Sequence, residues 1–301
     1  MLTNRALWII ERNLDRQITL SEIADICGVS KTHLAHAFGA STGISVMRYL
    51  RGRRLSAAAQ ALADGAPNIL TLALEIGYSS HEAFSRAFHL QFGCTPEMVR
   101  QTANTEGLTM VKALKPSEGS GIKLENPRFV AGPPMLAVGL AERHSLDTAH
   151  NIAAQWQRFM AVYGDIPDKV NPIPVGVTTN MDEDGNFEYV CAVEVSKFPA
   201  GLSGLAQIRI PAQNYAVFLH SEHIARIVET YRVILNEWLP ANHCVAADGP
   251  SLERHLETFD PRTGFGGVEI WIPLADASDS NRCEFAAYGT GAAASRPAAS
   301  S

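Results

Sequence analysis

The chain has 301 residues, 46% hydrophobic and 19% charged, enough apolar material for two cores at roughly 150 residues per domain. Its apolar runs fall short of the ~18 residues of a membrane span, and its five cysteines (Cys27, Cys94, Cys191, Cys244, Cys283) form no CxxC pair. This argues against a membrane protein, a zinc finger or a disulfide scaffold, and leads us to expect reduced thiols in a cytoplasmic protein without metal or cofactor.

The net charge of −6 is unevenly spread. Residues 1–105 carry 10 Lys/Arg against 8 Asp/Glu plus 4 His, whereas residues 106–301 carry 15 against 23. A modest basic footprint on the first part suits a nucleic-acid partner; the acidic remainder does not.

In chain order, MLTNRALWIIERNLDRQ reads as an amphipathic helix carrying acids, not a signal peptide. SEIADICGVSKTHLAHAF then has the parts of a helix-turn-helix. Ser21 caps a first helix, Ala24 allows close approach, Gly28 makes the turn, Ser30 caps a second helix, and Leu34 and Phe38 face the core. A long helix over about 45–63 follows. TLALEIGYSSHEAFSRAF repeats the first unit, with Thr71, Ala73, Gly77, Ser80, Phe84 and Phe88 about 50 residues on. Residues 106–126 lose the helical period and read as a linker. Beyond it, strand–helix–strand–strand occurs twice at an offset of roughly 80, as expected of a duplicated βαββ module. The Ala/Ser/Gly-rich tail at 276–301 reads as low complexity.

The first part resembles the AraC/XylS family across residues 3–101. The most specific stretch is ALEIGYSSHEAFSRAFHLQFGCTPEMVR, with Ile76-Gly77-Tyr78, Phe84-Ser85-Arg86, Phe88, Phe92-Gly93 and Thr95-Pro96 in the family positions. Val99 stands where the family usually has Tyr, and Ala35 and Ala37 leave the first recognition helix poor in long polar side chains. The fold expected is an all-α double helix-turn-helix domain over 1–105, then an α+β domain over 127–275. Recognition helices expose their N-terminal and outward residues to base edges. The candidate DNA readers are therefore Lys31, Thr32, His33, Ala35 and His36 in the first unit, and His81, Glu82, Ser85, Arg86 and His89 in the second. Arg86 is suited to guanine O6 and N7, or else pairs with Glu82, which is itself able to accept from cytosine. The arginines 48, 51, 53 and 54 and the helix starts near Ser45 and Thr95 are candidate phosphate contacts. Helices at about 31–38 and 81–91 are expected in successive major grooves, about 34 Å apart on unbent DNA.

The second part, through SLERHLETFDP and GGVEIWIPL, resembles the GyrI-like small-molecule-binding domain over about 127–274. The resemblance implies a pocket between the modules with a Glu at its base, carried over to Glu269, and a helix Trp, carried over to Trp156. Strand alternation puts Glu269 and Trp271 on one face, an acid beside an aromatic, as an organic cation would want. Tyr189, Tyr215, His255 and Phe259 are further pocket candidates. The expected function is ligand-modulated transcription control. The alternatives are a protein-interaction scaffold without ligand, and a hydrolase of reactive small molecules. Expected partners are double-stranded DNA, a small effector and RNA polymerase, with the chain a monomer or weak homodimer.

Overall fold

The computed structural model describes residues 1–66, 68–115 and 121–275; the tail at 276–301, with Cys283, lies outside them. The first part is helical: α1 (Leu2–Glu11), α2 (Leu20–Cys27), α3 (Lys31–Thr42), α4 (Val46–Ala63), α5 (Ile69–Glu75), α6 (His81–Phe92) and α7 (Pro96–Thr102). Hydroxyl and amide caps start the helices. Thr19 and Glu22 form a capping box on α2, and Ser30, Ser45, Asn68, Ser80 and Thr95 each accept from a backbone N–H one turn on. The sequence reading put the caps of α2 and α5 at Ser21 and Thr71; the chain starts each helix earlier, because Thr19 and Asn68 find N–H partners there. Both turns use left-handed glycine, Gly28 at φ 73° and Gly77 at φ 86°.

The second part is one antiparallel sheet of eight strands, ordered β1-β6-β8-β7-β3-β4-β2-β5. These are β1 (Arg128–Gly132), β2 (Met135–Ser145), β3 (Val175–Thr179), β4 (Asn186–Val195), β5 (Ala206–Ile210), β6 (Gln213–His220), β7 (Ser251–His255) and β8 (Val268–Pro273). Helix α8 (Ile152–Val162) follows β2, and α9 (Ile227–Val233) follows β6. After α9 the chain runs on through a π-helical stretch, Ile234–Trp238, and a last turn, α10 (Leu239–Ala241). The duplication is longer than the sequence pattern suggested. Each βαββ module is preceded by a short strand, and that strand pairs with the other module: β1 with β6, β5 with β2. The β3–β7 pair forms the seam.

Alternation divides the sheet. Val175, Val177, Tyr215, Val217, Leu252 and Trp271 pack together on one face. Tyr189, Cys191 and Val193 meet Phe159 of α8 on the other, where Ile270 and Ile272 meet Ile234 and Leu235. The two parts share a core, since Leu2, Ala6, Leu34, Ala37 and Phe38 belong to the same apolar cluster as Phe218, Ile234, Leu235 and Leu239. The segment read as a linker is partly docked: Gly52 leaves room for Val111, whose N–H donates to Ser56 Oγ (2.8 Å). Cys27, Cys94 and Cys191 are free thiols. Among the described residues, no helix is long and apolar enough to cross a membrane.

Candidate functional site

Glu253 lies on β7 at the seam, opposite Gly176 of β3. Tyr189 of β4 donates to its Oε2 (2.7 Å), and Tyr231 of α9 donates to its Oε1 (3.1 Å). Trp156 Nε1 on α8 donates to the Tyr189 hydroxyl (3.2 Å). Gly176 makes this possible, because a Cβ there would sit 2.2 Å from the Tyr189 hydroxyl. Trp156 also packs on His255 (centroids 5.0 Å apart), which stacks on Phe259 at 4.2 Å and 5°. Glu253, Trp156, Tyr231, His255 and Phe259 each keep some accessible surface, so the carboxylate sits in an aromatic cluster, with Trp156 from α8 and Tyr231 from α9, that solvent still reaches. Desolvation pushes the Glu253 carboxyl above the usual range, against the two phenol hydrogen bonds, which favour the anion. Burial lowers His255 to about 4, so its imidazole is neutral at pH 7.

Trp156, Tyr189, His255 and Phe259 thus lie together, but around Glu253 and Tyr231, which the sequence reading missed. Period-2 alternation along Ser251–His255 puts Glu253 and His255 on one face, and that signal was available in the sequence. The anchor at Glu269 is a correction. Glu269 and Trp271 do share a face, but it is the one turned away from α8 and α9. There Glu269 pairs with Arg128 and accepts from Trp271 Nε1 (3.1 Å), so its charge is already matched. Tyr215 lies on that same face, edge-on to Trp271 at 5.5 Å.

The two recognition helices, α3 and α6, differ sharply. On α6, Glu82, Arg86 and His89 are exposed, and among the described residues no ion pair joins Arg86 to Glu82. His81 pairs with Glu97 (3.1 Å), and Ser85 is half-buried. On α3, Lys31 is exposed, but the other candidates meet the C-terminal part. His33 is buried, and its Nε2 donates to Leu235 O (2.8 Å). Nδ1 is thereby left to accept from Ala246 N–H (3.4 Å). Thr32 bonds Asp248, Ala35 is buried, and His36 lines a small crevice with Tyr231 and Leu235. Burial lowers both His33 and His36 to about 4, so neither offers positive charge to a phosphate at pH 7. His33 and Ala35 are therefore corrected as base readers: both are buried, and His33 bonds Leu235 and Ala246 of the C-terminal part. Arg48 and Arg51 of α4 pair with Asp147 (2.5 Å) and Asp184 (3.0 Å), and Arg53 is held by Glu11 (2.8 Å). Arg54 donates to Leu14 O (3.1 Å).

Residues 125–275 match the family model described as a GyrI-like small-molecule binding domain, and residues 23–102 match a helix-turn-helix domain model. The chain is 26% identical over 291 residues to Transcriptional regulator Rob of Salmonella typhimurium, covering 93% of this chain and 94% of that one. It is 24% identical over 284 residues to Right origin-binding protein of Escherichia coli, covering 89% and 96%. Multiple antibiotic resistance protein MarA of E. coli is 35% identical over 98 residues, which is 33% of this chain and 76% of MarA.

Proposed function

The chain belongs to the AraC/XylS family of DNA-binding transcriptional regulators, with a GyrI-like small-molecule-binding domain, and from that premise we propose that Glu253 anchors an organic cation that modulates DNA binding. The observation that carries this is a desolvated carboxylate with one phenol on each oxygen and aromatic rings above it. The phenols satisfy hydrogen-bonding capacity without cancelling charge. A ligand therefore gains by bringing positive charge and a flat apolar surface to the cluster. The role is sensing: the curated relatives are regulators, and the cluster holds phenols, an indole and one carboxylate in place of a nucleophile–base pair. We place the protein in the cytoplasm, where its DNA is.

Helix α9 links the cluster to the DNA-binding part. Tyr231 touches Glu253, while Leu235 and Asn236, one turn on, bond His33 and Ala37 O across the domain boundary. A cation that draws the Glu253 carboxylate from Tyr231 acts directly on this helix.

The test is calorimetric titration of wild type and Glu253→Gln with a panel of lipophilic aromatic cations and neutral analogues. A desolvated charge-assisted contact contributes roughly 1.5–3 kcal/mol, so cation affinity should fall about 10- to 150-fold, with neutral analogues little changed. Equal cation affinity of both proteins rejects the anchor. The pH dependence has a fixed sign. The folded-state pKa of Glu253 is raised, so cation affinity should decline as pH falls through that value, while Glu253→Gln shows no such step. In the empty protein the same shift contributes stability below the ordinary carboxylate pKa and loses it as pH rises through the raised value. Glu253→Gln should flatten that slope.

A further inference from the structure

The internal repeat allows each outward position of α3 to be compared with its counterpart on α6, fifty residues later. Thr32 corresponds to Glu82, His36 to Arg86, Gly39 to His89, and the helix cap Ser45 to Thr95. In the second unit all four positions are exposed. In the first, all four lie against the C-terminal part. Thr32 bonds Asp248, and His36 shares a crevice with Tyr231 and Leu235. A Cβ on Gly39 would come within 2.9 Å of Leu146, and one on Gly185 within 3.0 Å of Ser45 Cβ. The same four places that are open to solvent in one unit face protein in the other.

The chemistry has changed to match. A groove reader needs long donors and acceptors on its outer face. Here that face carries Thr, Ala, His and Gly, with His33 buried and His36 partly so. The backing is a built interface. Asn236, itself buried, accepts from Thr3 N–H (2.9 Å) and donates to Ala37 O (2.9 Å) and Ser41 Oγ (3.0 Å). Around it runs an apolar core continuous through both parts. Carboxylates of Asp147 and Asp184 pair with Arg48 and Arg51 of α4, two of the candidate phosphate contacts.

We infer that α3 is given over to holding the C-terminal domain, and that α6 alone reads base sequence, through Arg86, His89 and Glu82. This rests on the chain being a DNA reader and is independent of the Glu253 site, so either can fail without the other. It replaces the two-groove geometry expected from the sequence with one box in one major groove.

The test uses the full-length protein and duplexes of about 30 base pairs selected from a randomised library, long enough to hold two boxes a helical turn apart. Selection and footprinting should return one box. Arg86→Ala should weaken it about 5- to 150-fold and relax preference at one base pair. Lys31→Ala, Thr32→Ala and His36→Ala should each leave base preference unchanged and affinity within about twofold. Two boxes about 10.5 base pairs apart, one of them losing preference in Lys31→Ala or His36→Ala, would overturn the assignment. So would a second box gained by Asp147→Asn/Asp184→Asn/Asp248→Asn, for that would make the docked domain a removable shield over a working reader. These three carboxylates are side chains at the surface of the interface, so the triple variant tests the contact without emptying a core.

Discussion

Asn236→Ala should lower stability by about 2–4 kcal/mol, although Asn236 lies far in sequence from the residues it serves. Its carboxamide accepts from the Thr3 backbone N–H at 2.9 Å and from the Thr3 hydroxyl at 2.6 Å, and donates to Ala37 O and Ser41 Oγ. Alanine leaves the buried Thr3 N–H without this partner, at about 1–3 kcal/mol, and adds a small cavity, while the Ala37 carbonyl keeps the Thr3 hydroxyl at 3.2 Å. The residue sits in the π-helical stretch, where the wider turn points an extra side chain at α1 and α3. Urea denaturation checks the size of the loss. Because one core spans both parts, wild type should unfold in a single transition, and the variant should split it into two. A loss under about 1 kcal/mol would mean that water replaces the carboxamide and that the interface is looser than its geometry implies.

Gly176→Ala should cost about 2–3 kcal/mol and damage the effector cluster at the same time. The added methyl would lie 2.2 Å from the Tyr189 hydroxyl, 2.9 Å from its Cζ and 3.3 Å from Glu253 Cβ. Tyr189 has little room to retreat, since its ring is buried and its hydroxyl is tied to both Glu253 and Trp156. Pushing the phenol away breaks the 2.7 Å bond to Glu253 and removes one of the two interactions that favour the anion there. The carboxyl pKa should therefore rise further, moving the acid limb of cation binding to higher pH. Thermal unfolding together with the pH profile of cation affinity checks both effects. Destabilisation without any shift in the acid limb would detach Tyr189 from the charge of Glu253.

Much of this was local and therefore legible in the amino-acid order. Gly28 and Gly77 marked the turns, Ser30 and Ser80 the starts of the recognition helices, and Phe84 and Phe88 the core of the second unit, because caps and left-handed turns are decided by a few neighbouring residues. The period-2 runs gave most strands, and the spacing of AQIRI and YAVFLH matched β5 and β6. The short strand β1 lacked such a run, and its partner lies some eighty-five residues on, at Gln213–Val217.

The candidate site divided along the same line. Alternation correctly put Glu269 and Trp271 on one face, yet no local rule says which face of a sheet the helices will cover. That depends on where α8 and α9 land, and they landed over Glu253, leaving Glu269 to Arg128. Likewise, the sequence determined that α3 is a recognition helix in form, with its cap, turn and core residues in place. Only the tertiary structure decided what its outer face meets, because Leu235, Asn236 and Asp248 reach it from about two hundred residues away. Burial is a property of the assembled chain. A histidine facing a groove and one sealed beneath a second domain are written with the same letter.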